Sequence, residues 1–149
     1  MNGRRGTARR PNPTHGGKLT PVLHSPGVDH GSFQRWLDAY GRAWQARDAQ
    51  AAAGLFAESG TYQVTPFVEP LRGRLAILEY WCEVARTEEN IHFGCEILAA
   101  MPECGVAHWW ASFVRVPAGA PTRLDGIFLI ALDASGLCTS LREWWHKQQ

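Results

Sequence analysis

A chain of 149 residues, 45% of them hydrophobic, has the size of one domain and enough apolar side chains for a sizeable core. No apolar run approaches the ~18 residues that a membrane-spanning helix needs, so we expect no membrane partner. The formal net charge is +1, but residues 1–30 hold five basic residues against Asp29 alone, which leaves the remainder net negative. A negative domain is a poor nucleic-acid binder, so we expect no nucleic-acid partner either.

Residues 1–30 are predicted to be a disordered tail rich in arginine, proline and glycine. The segment contains four prolines and five glycines and shows no apolar period. It lacks the apolar stretch of about 7–15 residues that a secretion signal contains. A nucleic-acid-binding arm is the alternative interpretation of its arginines. Residues 31–149 are predicted to form the folded domain.

Three helices are predicted in the first part of that domain. Ser32 is a candidate cap for a long amphipathic helix, because large apolar residues recur at helical spacing over 33–44. Asp48 is a candidate cap for a short second helix, which the "ESG" stretch at 58–60 should end. A third helix is predicted over 75–85.

Strands dominate the rest of the chain. A short strand is predicted at 61–64, followed by a loop to Gly73. Four longer strands, separated by short turns rich in glycine and proline, are predicted at 91–100, 106–116, 123–132 and 137–146. Consecutive strands with short turns form an antiparallel meander, and helices before strands indicate an α+β domain. Because the strands are apolar on both faces, we expect the sheet to curl around a helix and also to dimerise.

The last strand brings a carboxylate and two tryptophans close to the end of the sequence. Period-2 alternation divides its residues between two faces: Leu141, Glu143 and Trp145 on one, and Arg142, Trp144 and His146 on the other. If Trp145 faces the core, Glu143 does too. Trp144 then faces outward, where a second copy of the chain is the simplest cover.

Three stretches, in this order, resemble the SnoaL-like branch of the nuclear transport factor 2-like superfamily: "YGRAWQARDAQAAAGLFAESGTYQVTPF", "LRGRLAILEYW" and "LDGIFLIALDASGLCTSLREWW". The resemblance covers about residues 33–147. It implies a cone in which a curved antiparallel sheet wraps a long N-terminal helix, with two further helices and a deep apolar pocket. Such proteins include polyketide cyclases, ketosteroid isomerases, limonene epoxide hydrolases, dehydratases and non-catalytic binders, so the fold does not settle the function.

The ketosteroid isomerase pattern is incomplete in this sequence. Tyr40 matches the position of the tyrosine that donates to the substrate oxygen. The catalytic base falls at or beside Val64 and Thr65, neither of which accepts a carbon acid's proton. The second aspartate falls at Phe128. The resemblance therefore does not imply a working ketosteroid isomerase.

The limonene epoxide hydrolase pattern is half retained. Tyr62 matches the tyrosine that holds the water, and Glu143 stands at the position of one aspartate. The asparagine of that pattern is Val64 here, and the arginine and second aspartate fall at Trp110 and Ser112.

The candidate site combines the matched positions with residues expected to face the pocket. The predicted catalytic residues are Glu143, His108, Tyr62 and Tyr40. The predicted substrate-binding residues are Trp110, Ser112, Val64, Phe128, Trp145 and Trp81. A carboxylate in an aromatic pocket is desolvated, which raises its pKa and suits it to acid–base catalysis near neutrality. The alternatives for Glu143 are a structural charge pair with Arg123, Arg142 or His108, or a position in solvent.

The sequence favours a cofactor-independent pocket enzyme of isomerase, cyclase or hydratase/lyase type. Its substrate would be a small hydrophobic, polyketide-like molecule. The alternative is a non-catalytic small-molecule-binding or dimerisation module of the same fold. No metal cluster or phosphate loop is visible in the sequence, so we expect no metal and no cofactor. The four cysteines form no CxxC motif and lie in apolar segments, which favours reduced thiols and a cytoplasmic location.

Overall fold

The computed structural model describes residues 28–149, and residues 1–27 of the predicted tail over 1–30 lie outside the described residues. The elements in chain order are α1 (His30–Gln45), α2 (Ala49–Ala53), β1 (Phe56–Gln63), β2 (Leu71–Arg72), α3 (Arg74–Thr87), β3 (Glu88–Ala100), β4 (Gly105–Arg115), β5 (Ala120–Leu132) and β6 (Cys138–Lys147). The α+β class is confirmed. No helix within the described residues is long and apolar enough to cross a membrane.

Helix α1 begins at His30, one residue before the predicted domain boundary. Its cap is Asp29, whose carboxylate accepts a hydrogen bond from the Ser32 N–H at 2.8 Å, while the Ser32 hydroxyl accepts from the Asp29 N–H at 3.2 Å. The prediction that Ser32 is the cap is therefore wrong, because Ser32 is the reciprocal partner. Val28 is buried, and its N–H donates to the Pro102 carbonyl oxygen at 3.1 Å. Residues 28–30 thus belong to the folded domain.

The chain between α2 and α3 differs from the prediction. Asp48 caps α2 as predicted, accepting from the Ala51 N–H at 2.9 Å. Strand β1 then runs through the "ESG" stretch, which was expected to stop a helix. A Cβ atom at Gly60 would lie 2.8 Å from the Cys138 carbonyl oxygen, so the close approach of β1 to β6 at this position requires glycine. The predicted loop before Gly73 contains the short strand β2.

The sheet has six strands in the order β2-β1-β6-β5-β4-β3. Strands β3 to β6 pair as an antiparallel meander, as predicted. Strand β1, however, pairs parallel with β6, placing Tyr62 beside Leu141. The last strand of the chain therefore lies inside the sheet, where β1 covers one of its edges and β5 the other.

The sheet curves around α1, and the core lies between them. The buried face of α1 contributes Phe33, Trp36, Leu37, Tyr40 and Trp44. The inner face of the sheet contributes Trp109, Phe113, Phe128, Ile130 and Leu141. The helix runs close to β3, since a Cβ atom at Gly41 would lie 2.7 Å from the Phe93 ring. The predicted cone architecture is confirmed.

Candidate functional site

Glu143 lies on the inner face of β6, the face that the alternation of the strand predicted. Only 5% of the residue is exposed. Its Oε1 atom accepts a hydrogen bond of 2.7 Å from the hydroxyl of Tyr62, which the parallel β1–β6 pairing brings alongside. Phe128 is its cross-strand neighbour on β5. The carboxyl group is therefore buried and held by one hydrogen-bond donor, the Tyr62 hydroxyl.

Burial raises the pKa of Glu143 to about 8, and the hydrogen bond from Tyr62 opposes that effect without overcoming it. Removing a carboxylate from water penalises its charged form more than one neutral donor can offset. The group is therefore mostly a neutral acid at pH 7, and it exchanges its proton close to neutrality. Such a pKa suits general acid or base catalysis.

Three tyrosines surround this carboxyl group. Tyr62 and Tyr80 pack edge to face with ring centroids 5.3 Å apart, and Tyr40 is buried on α1. Burial, reinforced by the charge of Glu143, raises the pKa of Tyr40 and Tyr62 well above their usual range. The tyrosine hydroxyls therefore stay protonated and can act as hydrogen-bond donors but not as bases.

An inner cavity of about 120 Å³ opens beside these residues. Six of the predicted site residues line it: Tyr40, Tyr62, Val64, Trp81, Glu143 and Trp145. The Trp145 indole N–H donates to the Val64 carbonyl oxygen at 2.9 Å, which fixes one wall. Phe128 lies behind that lining as a core residue, stacked on Trp109 at a centroid distance of 5.1 Å.

The structure places His108, Trp110 and Ser112 on the opposite face of the sheet. Their expected position in the pocket is wrong, because on β4 it is Ala107, Trp109 and Ala111 that face inward.

His108 contacts the outer-face carboxylates of Asp125 and Glu96, at 3.0 and 3.1 Å. These hydrogen bonds raise the pKa of His108, the bond to Asp125 contributing most. Asp125 lies on the outer face of β5, and its partner there is this histidine. His108 therefore belongs to a surface ion pair and does not contact Glu143.

Trp110 and Ser112 line a larger outer groove of about 540 Å³. The Trp110 ring lies over Gly94, where a Cβ atom would be only 2.5 Å away. The groove is open, and its Asp125 side chain is 67% exposed. Water screens charges in such a place, so the smaller inner cavity is the better setting for proton transfer.

A second buried carboxylate, Glu88, escaped the sequence analysis. It lies at the inner cavity, where its two oxygens accept from the Trp44 indole N–H at 2.9 Å and from an Arg115 N–H at 3.2 Å. Burial raises the pKa of Glu88, and both donors work against that shift. The sequence prediction began β3 only at residue 91, so Glu88 had no predicted strand face. The sequence signal that could have identified Glu88 is its position as an acidic residue shortly after the apolar helical period of the third helix ends.

Among residues 28–149, no three His, Cys, Asp or Glu side chains are grouped so that they could hold a metal ion. The polar residues that line the inner cavity are two glutamates, three tyrosines, four tryptophans, Thr122, Arg115 and Lys147.

The profile of the SnoaL-like domain family matches residues 33–141. This chain belongs to that family. Solved structures support the same fold. One is that of the epoxide hydrolase/cyclase-like enzyme SalBIII, described with a role in pyran ring formation in the polyether salinomycin. It superimposes with a TM-score of 0.70 at 17% identity, over 79% of this chain and 93% of the other.

A second similar structure is that of a Bacillus subtilis protein provisionally described as an isomerase. Its TM-score is 0.69 at 14% identity, over 78% of this chain and 87% of the other. At such identities the likeness shows a shared fold. No curated protein matches the sequence.

Proposed function

We propose that this SnoaL-like protein is a cofactor-independent enzyme that isomerises or cyclises a small hydrophobic molecule by acid–base catalysis in the inner cavity. The observation that carries the proposal is the buried Glu143 carboxyl group, hydrogen-bonded to Tyr62 at 2.7 Å and with its pKa raised to about 8. The cyclase and isomerase descriptions of the two similar structures favour the same reaction classes.

In this mechanism Glu143 both gives and takes the proton. Its neutral form protonates a substrate oxygen, and the resulting carboxylate removes a proton from another substrate atom, which restores the acid. No atom is gained or lost, as isomerisation and ring closure require. Tyr62 keeps the carboxyl group in one orientation, and the apolar walls exclude water that would lower the pKa.

Proton transfer by Glu143 can be tested without the natural substrate. The planar probe 5-nitrobenzisoxazole opens to a cyanophenolate when a base removes its ring C–H proton, with cleavage of the N–O bond. We expect the protein to accelerate this reaction, with a rate that rises through about pH 8 as Glu143 ionises. Glu143→Gln keeps the shape of the side chain and should lower the rate by roughly 10²–10⁴-fold.

The matched control is Glu79→Gln, which changes an exposed carboxylate on α3 and should leave the rate unaltered. A rate no faster than that of buffer, or one that survives Glu143→Gln, would contradict the catalytic proposal. Either result would favour the non-catalytic binding module.

We also propose that two copies of the chain associate through the outer face of the sheet. The support is a set of large apolar side chains exposed there: Leu98, Trp110 and Trp144, at 55%, 43% and 38%. The Arg142 guanidinium covers part of Trp144 at 4.9 Å from the ring centroid, a contact that a second subunit would desolvate.

We also propose that the protein is located in the cytoplasm. All four cysteines are free, and Cys138 is fully buried as a thiol. Reduced thiols fit a reducing compartment. Cell fractionation tests this, and recovery with secreted proteins would contradict it.

A further inference from the structure

The outer groove of about 540 Å³ lies at the end of the sheet where β6 terminates, and residues of β3, β4, β5 and β6 all border it. Its volume is within the range of small-molecule sites, which is about 300–1,000 Å³. The outer groove therefore has room for a whole small molecule, and the proposed acid–base chemistry of the inner cavity does not use it.

Strand pairing places polar side chains of the groove next to one another. Ser112 on β4 pairs with His92 on β3 and with Arg123 on β5, so the three residues form one row across the outer face of the sheet. Directly opposed residues of antiparallel strands have Cβ atoms about 4.5–5.5 Å apart. The Ser112 hydroxyl and the Arg123 guanidinium are therefore close enough to contact the same group of a ligand.

Arg123 is exposed and forms no ion pair within residues 28–149. The one carboxylate that lines the groove is Asp125, and its two oxygens lie 3.1 and 3.0 Å from the His108 Nε2 atom. An arginine offers a planar fork of N–H donors that matches the two oxygens of a carboxylate. Arg123 is thus available to bind an anionic group from solution.

An aromatic ring borders the same groove. Trp110 precedes Ser112 by two residues on β4, so both lie on the outer face, and Trp110 is 43% exposed. Gly94 is its cross-strand neighbour on β3, and the absence of a side chain there leaves room for the indole ring. The groove therefore combines an accessible aromatic surface with an unpaired cation.

We propose that the outer groove binds a small aromatic carboxylate, whose charged group contacts Arg123 and Ser112 and whose ring packs against Trp110. The guanidinium and the hydroxyl donate to the carboxylate oxygens, and the indole covers the apolar part of the molecule. Charge complementarity favours an anion over a neutral molecule of the same shape. The proposed dimer shares Trp110 with this site, so the ring of the ligand would lie beside the subunit contact.

A matched pair of probes tests the charge requirement. 2-Naphthoate is an aromatic carboxylate, and 2-naphthamide has nearly the same shape without the charge. In calorimetric titrations we expect 2-naphthoate to bind roughly fivefold more tightly, which is the effect of an ion pair that is open to water. Added sodium chloride should reduce this preference, because salt screens such pairs.

Nuclear magnetic resonance locates the bound probe. In ¹H–¹⁵N spectra the indole signal of Trp110, assigned by its loss in Trp110→Phe, should shift on adding 2-naphthoate. The indole signal of Trp81, which lines the inner cavity, should stay fixed.

Two arginine variants separate the groove from general surface charge. Arg123→Gln removes the cation of the groove and should make the two probes bind equally. Arg72→Gln removes an exposed arginine on β2, at the opposite edge of the sheet from β3, and should keep the preference for 2-naphthoate.

The proposal is overturned if the unaltered protein binds neither probe or binds both equally. It is also overturned if the Trp81 signal shifts and the Trp110 signal does not, or if Arg123→Gln keeps the preference. Binding of 2-naphthoate by Trp144→Glu but not by the unaltered protein would contradict it too, because a second copy would then occupy the groove.

The site can be tested separately from the proposed enzyme. Glu143→Gln alters the inner face of the sheet and should leave the affinity for 2-naphthoate unchanged. A preference for 2-naphthoate without acceleration of 5-nitrobenzisoxazole opening would support the outer site and contradict the proposed enzyme. Acceleration without that preference would support the enzyme and contradict the outer site.

Discussion

A single buried carboxyl group couples the chemistry of this domain to its stability. Glu143 has a pKa of about 8 in the folded domain against an ordinary value of 4.5. The neutral acid is the form that the cavity accommodates, and the charged form is the one that water stabilises. The raised pKa that would suit Glu143 to proton transfer near neutrality therefore costs stability as the pH rises from about 4.5 to about 8.

The first prediction concerns that cost. Because the pKa of Glu143 is raised on folding, its stabilising contribution is complete below pH 4.5 and is lost as the pH rises through about 8. The free energy of unfolding should fall by about 1.4 kcal/mol per pH unit across that window. Glu143→Gln should remove this part of the slope. Urea denaturation from about pH 5 to about pH 8 measures it.

Glu79→Gln, on the exposed face of α3, is the reference variant for the pH series and should keep the original slope. Glu88 also has a raised pKa and adds to the slope in every variant, so the difference between variants is the informative quantity. If Glu143→Gln and the unaltered protein had parallel stability curves, Glu143 would not be a buried neutral acid.

The sequence placed part of the site correctly because one strand has unambiguous alternation. Glu143 and Trp145 share a face in β6, and Leu141 on that face is fully buried. In β4 both faces carry large residues, Trp109 inward and Trp110 outward, so alternation alone does not distinguish them. The sequence analysis assigned His108, Trp110 and Ser112 to the pocket. The structure instead places Ala107, Trp109 and Ala111 on the inner face.

At the scale of single elements, periodic segments were predictable and irregular ones were not. Helix α1 and strands β3 to β6 follow clear apolar periods and lie close to their predicted positions. Strand β1 was mostly missed, because its "ESG" residues are poor strand formers in isolation. Their pairing with β6, some eighty residues away, overrides that preference, and the register shift between Phe56 and Thr61 accommodates it.

The capping of α1 sets a sharp boundary for the domain and gives the second prediction. Deleting residues 1–27 should leave the melting temperature nearly unchanged. Deleting 1–30 also removes the Asp29 cap and the buried Val28, losses of about 1 and about 1.5 kcal/mol. The melting temperature should then fall by about 5–10 °C. Thermal denaturation followed by circular dichroism compares the two truncations, and equal melting temperatures would show that residues 28–30 add nothing.

At the scale of the whole molecule, the outer face of the sheet carries the exposed side chains of Trp110 and Trp144, which a second subunit would cover. The third prediction is that the protein is a dimer at micromolar concentration and that Trp144→Glu makes it a monomer. A buried, unpaired carboxylate at a subunit contact opposes association. Sedimentation velocity measures the state of assembly.

Phe67→Glu provides the matched control, because Phe67 is 95% exposed in the loop after β1 and is not on the sheet face. This variant should sediment as the unaltered protein does. A monomeric unaltered protein, or a Trp144→Glu variant that still dimerises, would contradict the interface.

The central position of β6 has a consequence for how the molecule is made. Of the described elements, β6 leaves the ribosome last, yet it alone joins β1 and β2 to the meander of β3 to β5. During synthesis the edges of β1 and β5 that pair with β6 remain unpaired, and the long-range β1–β6 pairing forms only after β6 has been synthesised. The same late strand brings Glu143. Completion of the sheet and arrival of Glu143 at the inner cavity therefore depend on the same strand, and a nascent chain without β6 has neither.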